Sequence, residues 1–230
     1  MSVLSVETLF SGYGDIGVIN GVNLSLNPGE FLGVFGHNGM GKSTLLKTIV
    51  GLIPVKSGEI CLEGGIVTRS SVAARAHAGL GYVPQGRQIY PKLTGRENLQ
   101  VAALGARRLK NDVDLIVALL PRIGGLLDRL GGVMSGGEQQ ILALGRCLIS
   151  QPKVILLDEP TEGIQPSIRE EIVEALKAVR EKHAISMILV EQNVDFLKSL
   201  SDRIILLQKG QVISEITDPS TIDAEQFDLV

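Results

Sequence analysis

The feature that most limits what this chain can fold into is the segment GHNGMGKST, Gly36–Thr44. It fits G-x-x-x-x-G-K-[ST] at Gly36, Gly41, Lys42 and Ser43, with His37, Asn38, Gly39 and Met40 inside the loop and Thr44 after it. A short apolar run, Phe31–Phe35, leads in. A helical pattern from about Lys42 to Val50 leads out, closed by Gly51 and then Pro54. Glycines let the backbone curl until several amides converge on phosphate oxygens. The helix N-terminus adds positive potential at the same place. Lys42 is placed to reach the β- and γ-phosphates of a nucleotide, and Ser43 to offer its hydroxyl to Mg2+. The plainer alternative is a glycine turn with a stray lysine. Average residue usage yields such a match in about one chain in a hundred of this length, and the strand–loop–helix context argues further against it.

A second chemical signal lies far downstream. VILLDEP, Val154–Pro160, is four apolar residues followed by Asp158 and Glu159. A buried strand that delivers two adjacent acids at its carboxyl end is costly unless something uses them. A Mg2+ at a phosphate site would use Asp158, through water. Glu159 would face an attacking water as base or orienter. Alone the segment is also compatible with two acids capping a strand in solvent; beside a phosphate loop the functional reading is the stronger one.

The rest of the pattern is alternating strand and helix. Val22, Leu24 and Leu26 alternate with polar residues before an Asn27-Pro28-Gly29 turn, and a short strand is expected around Glu59–Leu62. From Thr94 to about Arg129 the character is helical, opened by the capping-box spacing Thr94-x-x-Glu97 and punctuated by Gly105, Pro121 and Gly124-Gly125. In the last third, strands at Val154–Leu157, Met187–Val190 and Ile204–Leu207 flank a helix. Pro166 sits at its first position, and Ile168, Ile172, Val173, Leu176 and Val179 follow helical spacing. Such alternation favours parallel strands covered by helices.

Composition narrows the function classes. The 230 residues are 44% hydrophobic with a net charge of −3, which suits one domain with its own core. Only 3% are aromatic, and the balance is acidic, so the basic footprint of a nucleic-acid partner is missing. The cluster Arg107-Arg108-Leu109-Lys110 reads as a solvated face. No apolar stretch approaches the roughly 18 residues needed to cross a bilayer, and MSVLSVETLF lacks the basic start of a signal peptide. Cys61 and Cys147 lie far apart, and His37, His77 and His183 are scattered. That spacing predicts a reduced chain in the compartment where it is made, with no zinc site.

With both segments in view, the chain resembles the ATP-binding cassette of ABC transporters along essentially its whole length. MSGGEQQ, Met134–Gln140, is similar to the family's signature, usually written LSGGQ, and lies just upstream of VILLDEP as in the family. Ser135-x-x-Glu138 is also a capping box, so the segment can be a helix start as well. The resemblance implies an α/β fold: a P-loop NTPase (RecA-like) core of ABC ATPase type, with an N-terminal antiparallel β subdomain and an inserted α-helical subdomain. The domain would span 1–230, with the helical and signature part at about 86–145. It implies ATP and Mg2+ as ligands, Ser43, Asp158 and Gln85 around the metal, and Glu159 as catalytic carboxylate. Ser135, Gly136, Gly137 and Glu138 would contact the γ-phosphate held by another protomer. Tyr13 stands where the family's adenine-stacking aromatic stands, although it also fits a surface tyrosine in a glycine turn. Gln85, in YVPQGR, resembles the Q-loop glutamine.

The chain departs from the family at Gln192, at Gln165, in LTGRENL where the family often reads LTVEENL, and in the tail after Ile213. Gln192, in ILVEQN, stands where most cassettes have a switch histidine. Glutamine can bridge γ-phosphate to backbone but cannot become a cation near neutral pH. Glu191 beside it does not substitute, since neighbours on a strand point to opposite faces. This predicts intact ATP binding with slow intrinsic hydrolysis. Gln165 replaces the aspartate of the usual loop after the carboxylates. TEGIQPSI, VPQGRQIYP and VEQNV resemble the smaller ATPase subunit of importers for branched-chain amino acids and for urea or short amides. The partners implied are a second cassette, a copy or a relative, in a head-to-tail dimer, polytopic permease subunits, and indirectly a periplasmic or extracellular solute-binding protein. The place implied is the cytoplasmic face of the membrane, as a peripheral subunit. A soluble ABC ATPase of iron–sulfur cluster biogenesis is the alternative. A DNA-repair or translation machine lacks its coiled-coil insert and second cassette here, and a plain P-loop kinase leaves MSGGEQQ unexplained.

Overall fold

The computed structural model describes residues 2–106 and 112–221. The Arg107–Lys110 cluster and the tail beyond 221 lie outside the described residues. Two sheets carry the architecture. The first is antiparallel, in the order β2-β1-β4-β5, from β1 (Leu4–Tyr13), β2 (Ile16–Leu26), β4 (Val55–Leu62) and β5 (Gly65–Ile66). β4 begins four residues before the expected strand at Glu59, because register shifts between Glu7 and Phe10 absorb the Ser57-Gly58 break as a bulge.

The second sheet has the order β10-β9-β3-β8-β7-β6. It comprises β3 (Phe31–Phe35), β6 (Leu80–Val83), β7 (Val154–Asp158), β8 (Ser186–Glu191), β9 (Arg203–Gln208) and β10 (Gln211–Ile216). Every pairing is parallel except that of β10 with β9. Its central strands read as unbroken apolar runs because both faces are covered. Phe31, Ile155, Leu157, Met187 and Leu189 enter one core; Leu32, Val34, Leu156, Ile188 and Val190 enter the other. The second core is shared with the antiparallel sheet and with α1 (Lys42–Val50). Truncating one such leucine to alanine costs about 2–5 kcal/mol.

The first core is roofed by helices. Between β6 and β7 come α3 (Gly95–Gly105), α4 (Asp112–Leu119), 3-10 turns at Pro121–Leu126 and Gly131–Val133, and α5 (Gly136–Leu148). The glycines and proline read as punctuation fall at these breaks. α6 (Pro166–His183) buries Ile172, Leu176 and Val179, with Pro166 at its first turn as the spacing predicts. α7 (Val194–Leu200) follows β8, and a short helix α2 (Val72–His77) precedes β6. Neither α2 nor α7 was apparent in the sequence pattern. Arg75, from α2, is buried and donates to the carbonyls of Thr48, Ile49, Thr68 and Ser70 at 2.9, 2.6, 2.7 and 3.2 Å. It thus satisfies the carboxyl end of α1, the end opposite the phosphate loop, where a cation also complements the helix dipole. No helix among the described residues is long and apolar enough to cross a membrane.

Candidate functional site

The phosphate loop runs from the end of β3 to the start of α1, at the carboxyl edge of the parallel sheet, where α/β folds place their ligands. Gly41 caps α1 in the left-handed region, at φ 101°, and its amide side leads directly into the helix. At Gly36 a Cβ would meet the carbonyl oxygen of Leu207 at 2.4 Å, so β9 presses on the loop too closely for any side chain. The turn between β9 and β10 braces it further: Gly210 N–H donates to the Met40 carbonyl at 3.0 Å, and Lys209 N–H to Met40 Sδ at 3.4 Å. No local sequence pattern announces this brace, since it joins positions some 170 residues apart.

Lys42 is almost wholly buried. Its Nζ donates to the carbonyls of Gly36 (2.6 Å) and His37 (3.2 Å) and pairs with Glu159 Oε1 at 3.4 Å. The loop has therefore turned its own carbonyls and one acid onto the cation. Ser43 Oγ, in the first turn of α1, donates to Asp158 Oδ1 at 2.8 Å, and Tyr82 Oη donates to Asp158 Oδ2 at 3.1 Å. Burial pushes the Asp158 carboxyl above its ordinary range, against the lowering effect of those two hydroxyls. Tyr82 is raised too, by burial first and then by the Asp158 carboxylate beside it. Tyr82 lies one position before Val83 on β6, and sequence reasoning passed over it; its only signal is an aromatic with a polar tip on a strand beside Asp158.

Glu159 begins the loop after β7 with φ at 47°, a conformation L-residues adopt at a cost of about 1 kcal/mol or more. Its backbone N–H is tied to the Val190 carbonyl at 2.9 Å. Gln192 Nε2 donates to Glu159 Oε1 at 3.0 Å and to Asn38 Oδ1 at 2.8 Å. Gln85 Nε2 donates to Glu159 Oε2 and to Glu162 Oε2, each at 2.9 Å. So Lys42, Glu159, Gln192, Gln85 and Asn38 form one connected polar cluster, with Ser43 and Asp158 forming a second beside it. Gln85 joins the Glu159 group; among the described residues it has no hydrogen bond to the Ser43–Asp158 pair.

These two oxygen donors suit Mg2+, which takes one or two carboxylates or hydroxyls and completes its shell with phosphate and water. Among the described residues no group of three or more His, Cys, Asp or Glu could cage a metal alone.

Tyr13 ends β1 and is half exposed, at 52%, a face open for stacking. His37 sits edge-on to Phe35 at 6.0 Å. Thr44 is buried within α1, where its carbonyl accepts from Thr48 Oγ1 at 2.7 Å. Gly39 lies at the exposed crest of the loop.

The signature segment stands apart. Ser135 caps α5 with both hydrogen bonds of a capping box: Glu138 N–H donates to its hydroxyl at 3.4 Å, and its own N–H donates to Glu138 Oε2 at 2.7 Å. The Arg129 guanidinium beside Glu138 holds that carboxyl below the usual carboxylate range. Among the described residues no hydrogen bond or ion pair joins Ser135, Gly136, Gly137 or Glu138 to the phosphate loop. Arg146, on the same helix, stacks on Tyr90 at 4.6 Å and donates to the Gln88 carbonyl at 2.6 Å, linking α5 to the segment just after Gln85.

Comparison with known proteins gives the family. The family model described as ABC transporter matches residues 19–162. The chain is 33% identical over 228 residues to the probable branched-chain amino acid transport ATP-binding protein LivF of Archaeoglobus fulgidus, covering 98% of this chain and 97% of that one. It is 34% identical over 230 residues to the high-affinity branched-chain amino acid transport ATP-binding protein BraG of Pseudomonas aeruginosa, covering 96% and 98%. Among solved structures, the ADP conformation of an ATP-binding cassette of an ABC transporter superposes with a TM-score of 0.86 at 26% identity, over 96% of this chain and 92% of that one. A family match over residues 19–162 and two relatives at 33% and 34% identity along nearly the whole chain leave one assignment: the chain belongs to the ABC transporter family, as an ATP-hydrolysing ATP-binding protein of that family.

Proposed function

We propose that this chain energises an importer of branched-chain amino acids, as the smaller of its ATPase subunits. The observation that carries this reading is the full-length likeness to two branched-chain amino acid transport ATP-binding proteins. TEGIQPSI, VPQGRQIYP and VEQNV support it.

In this reading Gly36–Thr44 cradles the phosphates of ATP and Tyr13 stacks on the base. Lys42 exchanges its carbonyl partners and Glu159 for phosphate oxygens. Ser43 and Asp158 hold Mg2+, with Gln85 beside them; the ion supplies charge neutralisation on the phosphates when bound. Released from Lys42, Glu159 accepts a proton from the attacking water, and Gln192 orients it. Among the described residues Ser135–Glu138 has no hydrogen bond or ion pair to the phosphate loop of its own protomer, so in this reading the Ser135–Glu138 of a second cassette, a copy or a relative, completes the site head to tail. Closure depends on contacts made only while the γ-phosphate is present, and hydrolysis returns the pair to the open form. The part of the chain from about 86 to 145, with Gln85, passes this motion to polytopic permease subunits. A solute-binding protein outside the membrane feeds them. The chain itself then sits peripherally on the cytoplasmic face.

The test is to tag the chain in its native host, solubilise membranes in mild detergent and identify what co-purifies. A second cassette with two polytopic subunits is the expected result, with branched-chain amino acids bound by the associated solute-binding protein. A binding protein that takes urea or a short amide would move the solute assignment. Purely soluble partners would overturn the transport reading.

A further inference from the structure

Glu191 is the last residue of β8, is 4% exposed, and has no part in the reaction described above. A buried carboxylate is costly unless its oxygens are fully engaged. Here they are, and the partners come from two different loops. Oε1 accepts from the Thr161 N–H at 2.9 Å and from the Thr161 hydroxyl at 2.5 Å. Oε2 accepts from the backbone N–H groups of Gln192 at 3.1 Å and Asn193 at 3.4 Å. Thr161 is itself only 4% exposed and lies two residues after Glu159. Gln192 is the residue whose side chain meets Glu159 Oε1.

The position explains the need. The ladder between β7 and β8 ends with Asp158 opposite Val190. Beyond it Glu159 turns into the left-handed region with its N–H on the Val190 carbonyl, Pro160 has no N–H to give, and the Thr161 N–H goes to the Glu191 side chain. The Glu191 side chain replaces the missing ladder. It holds Thr161 on one side and the start of the next loop on the other, so that Glu159 and Gln192 are fixed against each other from both ends.

We propose that Glu191 is a positioning residue for hydrolysis: through Thr161 and the Gln192 backbone it sets the Glu159 carboxylate and the Gln192 amide in register. This rests on the reading of Glu159 as the carboxylate that accepts the water's proton. Glu191→Gln keeps the size but turns an NH2 group toward two of the N–H donors. A misplacement of the order of 1 Å at the reacting groups lowers turnover by about 100-fold, and Glu191→Gln should fall between about 10-fold and that limit. KM and the equilibrium binding of Mg-ATP, which depend on the phosphate loop, should stay within about threefold, a change of under ~0.7 kcal/mol.

The experiment uses the full chain and four variants, Glu191→Gln, Thr161→Val, Thr161→Ser and Glu159→Gln. Each is measured for turnover per folded molecule, KM, nucleotide binding and melting temperature. Thr161→Val removes only the hydroxyl donor and should lower turnover in the same sense as Glu191→Gln; Thr161→Ser should restore it. Should Glu191→Gln prove unable to fold, the Val and Ser pair at Thr161 carries the test. Lower melting temperatures with parental turnover in both Glu191→Gln and Thr161→Val would overturn the proposal and leave a purely stabilising carboxylate. Equal losses in Thr161→Val and Thr161→Ser would overturn it too. Parental turnover in Glu159→Gln is a separate failure, of the site reading itself.

Discussion

Lys42 Nζ and Glu159 Oε1 stand 3.4 Å apart in a buried ion pair, the first residue of α1 held by the acid that follows β7. Each group therefore keeps the other compensated while neither is engaged in chemistry. In the proposed reaction a bound nucleotide exchanges that partnership, freeing the carboxylate as a phosphate takes over the lysine.

Substitution at the two ends of this pair should separate binding from turnover. Glu159→Gln leaves Lys42 free for phosphate, so Mg-ATP affinity is expected to hold or rise while turnover falls by about 100-fold or more. The arrested protein should accumulate as a closed dimer, visible by light scattering. Lys42→Ala should instead weaken nucleotide binding itself by about 10-fold or more. Parental hydrolysis by Glu159→Gln would remove that residue from the mechanism.

Asp158 makes the nucleotide-free chain sensitive to pH. Burial raises its carboxyl above the ordinary value of 3.8. The native state thus keeps a proton over a range in which the unfolded chain has already lost it. Stability therefore falls as pH rises from that ordinary value through the raised native one. Asp158→Asn should flatten this slope and raise neutral-pH stability by about 1 kcal/mol, while abolishing the Mg2+ dependence of ATP binding. Urea denaturation at a series of pH values reads both effects. A variant less stable than the parent at neutral pH would mean that the Ser43 and Tyr82 hydrogen bonds outweigh the desolvation.

Gln192→His tests the departure from the family's usual residue. Gln192 already reaches Glu159 and Asn38 through one amide nitrogen, and an imidazole can make such contacts and carry charge as well. ATP binding is expected to be unchanged and turnover equal or faster. A large loss of ATP affinity would show that Gln192 shapes the binding site rather than the chemical step.

Arg75 carries a purely structural prediction. Its guanidinium serves four carbonyls, with no acid partner among the described residues, and burial lowers its pKa. Arg75→Met retains the aliphatic stem but strands the Thr48 and Ile49 carbonyls at the end of α1. A loss of about 2–4 kcal/mol in unfolding free energy is expected. Calorimetry showing a parental midpoint would mean that water replaces the guanidinium freely.

Much of the site was legible because it is local. The phosphate loop, the two acids at the end of β7 and just after it, and both capping boxes are short segments whose chemistry is fixed by adjacent residues, and the structure puts Thr94 and Ser135 at helix starts with both reciprocal hydrogen bonds. The apolar runs of β3, β7, β8 and β9 likewise identify strands covered on both faces. What escaped is what depends on packing across long stretches of chain. Tyr82 on Asp158, the Lys209–Gly210 turn under Met40, and Arg75 under α1 each join elements that no period or spacing connects. Glu191 escaped for another reason. Alternation along a strand correctly turns it away from Glu159, but the strand ends there, and beyond a strand end alternation says nothing about which loops a side chain will tie.

The strand order also sets when this site can exist. β3 lies at the centre of its sheet, hydrogen-bonded to β8 on one side and β9 on the other, so the strand that launches the phosphate loop waits for two neighbours encoded more than 150 residues later. Helices such as α1 form from local contacts in about a microsecond, whereas distant strand pairing is the slow step. During synthesis the signature helix, β7 and the acid after it leave the ribosome before the loop has either of its flanking strands. In the proposed reading of GHNGMGKST as the phosphate cradle, a nascent chain gains the backing of that loop only once Leu207 is in place over Gly36, so nucleotide would stabilise chiefly a chain that has already finished its central sheet.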